Sequence, residues 1–299
     1  MANTSTNNIR KNSLPSTSHP LLVTTEQHLL RIIESFQGTH LPFSHVALSH
    51  QFSCLKALDE SLGDALHLHA YQEGLACEKG GGIKVAELEE ILEGSIILLD
   101  MCGGIKDCYS QVKDGLKEIE SSMRRKGVEY DIGEYITSKK MLHKMVSKCF
   151  KEMKKIKKHY GNMLHKNDSA MHDSFLHLLK SVQQVTFEVL QSSLCFISHT
   201  KANRSKFSGW SLISKFLKAK KVSGEEEIEG YLVEKIDFGL AQLMDSKKSS
   251  NSMMKIQNVL KNMKLLEASI EELEQELECV FRLLLRNRVY LLNNVNSYF

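Results

Sequence analysis

The sequence predicts an all-α protein: an elongated antiparallel helical bundle with long heptad-patterned helices and a disordered N-terminal tail. Three observations carry this. Pro15, Pro20 and Pro42 are the only prolines, and none occurs from residue 43 to residue 299. Proline lacks the N–H and clashes with the preceding turn, so a long proline-free run suits helices. The last stretch places Ile256, Met263, Ile270, Leu277, Leu284 and Leu291 at one heptad position. The partner position reads Val259, Leu266, Leu273 and Val280, then turns polar at Asn287 and Asn294. A second seam runs Leu88, Leu92, Ser95, Leu99, Cys102, Ile105, Tyr109, Val112, Leu116, Ile119 and Met123, in steps of three and four.

In chain order, residues 1–22 form the tail, rich in Ser, Thr and Asn and without acids. Residues 23–198 form the first part of the bundle. Thr24 with Gln27 has the spacing of a capping box, and opens a helix through Phe36. A second helix runs from about Ser44 to Cys77. Gly80-Gly81-Gly82 is a loop; no strand precedes it and no Gly-Lys-Ser/Thr follows, so it lacks the context of a phosphate cradle. The third helix spans about Val85 to Arg125, where Gly103-Gly104 marks a kink or a close helix crossing. A fourth covers about Asp131 to Tyr160, with Gly161 as its stop. Asp168 caps a fifth, through Ser198, with Phe175, Leu178, Val182, Val185, Val189 and Phe196 turned inward. Residues 199–227 read as a basic linker holding a short amphipathic helix, Trp210 to Lys220.

Residues 228–299 hold the C-terminal helices: one from about Ile228 to Met244, then the heptad helix from Met253 to about Asn294. Leaving the core seam Ile256, Met263, Leu266, Ile270, Leu273, Leu277, Val280 and Leu284 in water would forfeit roughly 1.5–3 kcal/mol per side chain, so it must pack. Past Val280 the apolar face widens through Phe281, Leu283 and Leu285. A wide face favours packing within the chain over a narrow dimeric coiled coil. The glutamates between 267 and 278 read as its polar flank.

The net charge of +3, with 42% apolar and 25% charged residues, describes an ordinary globular protein and argues against a nucleic-acid binder. Seven scattered cysteines without a Cys-x-x-Cys pair predict a reducing compartment and no disulfide framework. No apolar run is long enough for a transmembrane helix. Together these predict a cytoplasmic protein, membrane-associated if its basic segments bind lipid; the acid-free start loosely resembles a transit peptide and leaves plastid and nuclear destinations open.

Charge clusters supply the candidate sites. Residues 139–158 hold nine lysines and one acid, Glu152. Lys144, Lys148, Lys151, Lys154, Lys155 and Lys158 alternate with Leu142, Met145, Val146, Cys149, Phe150, Met153 and Ile156 at helical spacing. Such a basic amphipathic helix suits an anionic membrane surface or calmodulin. The plainer alternative is a bundle helix with a solvated lysine face. Lys215 and Lys218, beside Trp210 and Phe216, form a second candidate for anionic-surface binding. In the tail, Arg10 and Pro15 flank Ser13 in a pattern that basophilic kinases and 14-3-3 adaptors favour, making Ser13 a candidate phosphosite. The thirteen histidines form no His-Glu-x-x-His motif. His67, His69, His165, His172 and His177 share no face, and they read as solvated, as do Asp59 and Asp64. No catalytic, cofactor-binding or metal-binding set emerges, so the expected function is non-enzymatic: interaction with a protein partner still to be identified.

The chain resembles a plant-specific family of unknown function, related to the Bypass proteins of root and shoot development. The resemblance rests on Ser13-Leu14-Pro15 with Ser18-His19-Pro20, on Glu93-Gly94-Ser95 with Leu98-Leu99-Asp100-Met101-Cys102, and on Trp210-Ser211-Leu212-Ile213-Ser214-Lys215. Leu277-Glu278-Cys279-Val280-Phe281-Arg282, with Arg288-Val289 and Leu291-Leu292-Asn293, completes it. Arg282-Leu283 stands where the family often has paired basics, and Cys102-Gly103-Gly104 replaces a more helix-friendly run. The resemblance implies a developmental role, names no enzymatic activity, and brings no catalytic residues with it.

Overall fold

A computed structural model describes residues 20–36, 44–68, 82–126, 133–165, 174–198, 232–245 and 252–296. These form seven helices: α1 (Pro20–Ser35), α2 (His45–His67), α3 (Gly82–Lys126), α4 (Gly133–His165), α5 (Ser174–Ser198), α6 (Leu232–Asp245) and α7 (Ser252–Asn296). Among the described residues there is no strand. The tail around Ser13, and the linker with Lys215 and Lys218, lie outside the described residues.

The two longest helices, α3 and α7, have 45 residues each, which is about 68 Å of helix at 1.5 Å per residue. They pack side by side as the spine. Their hydrogen bonds and ion pairs give the direction. Arg288 meets Leu92 and Ser95, Glu278 meets Lys106, Glu274 meets Lys113, and Glu267 meets Lys117. Numbers rise on one helix as they fall on the other, so the spine is antiparallel. The glutamate flank of α7 therefore makes inter-helix contacts. The pairs that reach solvent, Lys106–Glu278 and Lys117–Glu267, contribute about 0–1 kcal/mol each, so they fix register more than they stabilise.

Stability comes from the seam. Ile256, Met263, Leu266, Ile270, Leu273, Leu277, Val280 and Leu284 are all buried, as are Val259 and Leu291. They pack within the chain, against α2, α3 and α6. The widening past Val280 is carried by Phe281, which packs on the core, while Leu285 stays 45% exposed. On α3 the seam residues Cys102, Ile105, Tyr109, Leu116, Ile119 and Met123 are buried, and so are Ile91, Leu98, Met101 and Cys108 on neighbouring faces. That breadth follows from position, since α3 is packed by α4, α5 and α7 together.

Glycines set the close approaches. A Cβ at Gly104 would lie 3.2 Å from Cys149 Sγ, and one at Gly115 would lie 2.5 Å from Ser138 Oγ. The two pairs run in opposite order, so α3 and α4 are antiparallel and touch at both glycines. Of the expected glycine pair, Gly104 makes the close crossing and Gly103 meets nothing within 4 Å.

Several boundaries differ from expectation. α1 starts at Pro20, whose missing N–H suits a first turn. Thr24 is thus inside the helix, with its hydroxyl donating to the Pro20 carbonyl at 3.0 Å, and it is not a cap. Ser44 does cap α2, its Oγ accepting from the Ala47 N–H at 3.2 Å. α2 ends at His67, earlier than expected, with Leu68 extended and its N–H bonded to the Ala65 carbonyl. α4 continues through Gly161 to His165, because one interior glycine costs only about 1 kcal/mol against alanine. Asp168 lies outside the described residues.

Candidate functional site

α4 has two faces. Val146, Phe150 and Met153 are buried against α3 and α5, with Leu142, Met145 and Cys149 partly buried beside them. Lys144, Lys148 and Lys151 recur at the spacing i, i+4, i+7 and are exposed on the other side. None of these three is in an ion pair with a described residue; Lys139, nearer the start of α4, is tied to Asp237 of α6. The same stripe continues by spacing to Lys155 and Lys158. Those two, with Lys154, lie on α4, but their side chains fall outside the described residues. Exposed Met141 sits one turn before Lys144, and exposed Ile136 lies further toward the start of the helix.

A cavity of about 630 Å³ opens where α4 meets α3 and α5. Its walls include Cys108, Asp107 and Gly104 from α3, Cys149 and Lys148 from α4, and Leu194 from α5. Cys149 and Cys108 share this wall, and each shifts the other's ionisation. Interaction with Cys108 lowers the Cys149 thiol against the opposing effect of burial, with help from the Lys148 charge, and the same interaction together with burial raises Cys108. The spacing of the cysteines in sequence gave no sign of this pairing; the glycine at 104 was the one available signal.

A second polar site lies in the core between α2 and α7. Asp59 is fully buried, which overturns its reading as a solvated residue; Asp64 is exposed. Burial pushes the Asp59 carboxyl up to about 8, and the Arg286 charge offsets only part of that. Neither carboxyl oxygen has a hydrogen-bond partner among the described residues. Asn287, the polar break in the heptad, is buried and donates from Nδ2 to the Asp59 backbone carbonyl at 2.9 Å. Gly63 makes the room: a Cβ there would lie 2.6 Å from Arg286 Nη2 and 2.7 Å from Asn287 Oδ1. This site holds α2 and α7 in register.

Of the histidines, His67 and His177 are exposed, and His67 meets Tyr290 edge-on at 5.4 Å between ring centroids. Among the described residues no group of three or more His, Cys, Asp or Glu side chains is placed to hold a metal ion. No helix among them is long and apolar enough to cross a membrane.

A family model described as Protein BPS1 matches residues 51–293. The match covers most of the chain, from α2 to the last turns of α7. No curated protein and no solved structure matches.

Proposed function

The chain belongs to the Protein BPS1 family, and from that premise we propose that it is a non-enzymatic helical interaction protein of plant root and shoot development. Its contact surface is the lysine stripe of α4, which binds an acidic face of a protein partner. One observation carries this: α4 commits its apolar side to the bundle and leaves Lys144, Lys148 and Lys151 in solvent without ion-pair partners among the described residues. Like charges at i, i+4 repel by a few tenths of a kcal/mol, a cost that an acidic partner would relieve. Affinity purification from plant tissue tests it. The chain carrying Lys144→Gln, Lys148→Gln and Lys151→Gln should lose partners that the unaltered chain retains; the same partners on both would refute it.

The second reading is peripheral binding to anionic lipid. It is favoured by exposed Met141 and Ile136 on α4, the helix that carries the stripe. Each lysine near an anionic surface is worth about 1 kcal/mol, so the triple substitution should weaken binding to phosphatidylserine vesicles by about 100-fold. No binding by the unaltered chain at low salt would exclude this reading. Calmodulin would seek apolar anchors such as Val146, Phe150 and Met153, which the bundle already uses.

A further inference from the structure

The thiol pair at the cavity goes beyond any reading of the lysine face. We propose that Cys108 and Cys149 are a peroxide-oxidisable dithiol that closes a disulfide between α3 and α4. The two thiols line one cavity, although they come from different helices. Gly104, one turn before Cys108, lets Cys149 approach the α3 backbone; a Cβ there would press on its sulfur at 3.2 Å. Both cysteines line the cavity of about 630 Å³, which admits a small hydroperoxide to a pair otherwise held in the core. Cys108 is itself fully buried, whereas Cys149 is partly exposed, so Cys149 is the sulfur that a peroxide meets first.

The charged groups around the cavity are Asp100 and Asp107 from α3, and Lys148 and Glu152 from α4; α5 contributes apolar Leu194. Interaction with Cys108 and the charge of Lys148 favour the Cys149 thiolate, and burial and Asp107 oppose it. The thiolate attacks one peroxide oxygen, the O–O bond breaks, and the departing hydroxide takes up the thiol proton as water. Cys149 is then a sulfenic acid. Cys108 loses its proton and attacks that sulfur, the S–O bond breaks, and a second water leaves. Two thiols and one hydrogen peroxide become one disulfide and two waters.

Full-length protein treated with hydrogen peroxide, quenched with catalase, alkylated and digested without reductant tests this by mass spectrometry. One cross-linked peptide joining Cys108 to Cys149 is expected, and dithiothreitol should remove it. The oxidised chain should melt roughly 5 °C or more higher, because the link closes a long loop of the unfolded chain. Cys108→Ala should abolish the link and let dimedone trap the sulfenic acid at Cys149, while Cys149→Ala should abolish both. The proposal is overturned if peroxide oxidises exposed Cys279 while Cys108 and Cys149 remain alkylated as free thiols. It is equally overturned if Cys102 or Cys195 cross-links as readily.

Discussion

At Asp59 the fold buries a carboxyl group beside Arg286 without giving either carboxyl oxygen a hydrogen bond from a described residue. Its affinity for a proton rises from the ordinary 3.8 to about 8, so the acid is mostly neutral at pH 7. The folded state therefore holds this proton more tightly than the unfolded state does. The stability it contributes is fully present below about pH 4 and is lost as the pH rises through about 8. Asp59→Asn keeps the shape and removes the titration. Urea melts between about pH 5 and pH 8 should show the unaltered chain losing up to about 1.4 kcal/mol per pH unit relative to Asp59→Asn. Parallel pH profiles would contradict the assignment. In the sequence Asp59 stands among charged neighbours, Glu60 and Asp64, and looks solvated. Its burial depends on Arg286 and Asn287, more than two hundred residues away, and local spacing carries no such information. The one legible hint is that Asn287 interrupts an apolar heptad position.

At the scale of elements, heptad spacing decided most. The seam of α7 was legible because ten apolar residues at two positions can only be buried together. Leu273 is at its centre and fully buried. Leu273→Ala should destabilise by about 2–5 kcal/mol in a denaturant melt. Leu285→Ala, on an exposed residue of the same helix, should stay within about 0.5 kcal/mol. Equal effects would show that the seam is not the load of the core. Helix ends were less legible. No glycine or proline marks the end of α2 at His67, and packing on α1, α5 and α7 decides it instead. Conversely, Gly161 looks like a stop but lies within α4.

Among the described residues, the buried apolar faces of α3, α4 and α7 are spent on one another or on their neighbours, and the face turned to solvent is mostly polar and charged, with Ile136, Met141 and Leu285 among the apolar exceptions. On α7 the glutamates are drawn into pairs with α2 and α3, as at Lys56–Glu276 and Lys113–Glu274. On α4, Lys144, Lys148 and Lys151 face outward with no ion-pair counterpart among the described residues, whereas Lys139 is tied to Asp237 of α6. The sequence exposed this imbalance plainly, since residues 139–158 hold nine lysines to one acid. It could not show where along α3 the apolar side of α4 docks, because that depends on where Gly104 and Gly115 admit the helix. The proposed function rests on this directed charge, so position must matter and not only the number of lysines. Lys261 and Lys264, exposed on α7, supply the control. Three forms of the full chain should be compared by quantitative affinity purification from plant tissue: unaltered, with Lys144, Lys148 and Lys151 changed to glutamine, and with Lys261 and Lys264 changed to glutamine. The α4 form should retain its partners at least tenfold less than the unaltered chain, while the α7 form keeps them. Equal loss from both forms, or loss from neither, would contradict it.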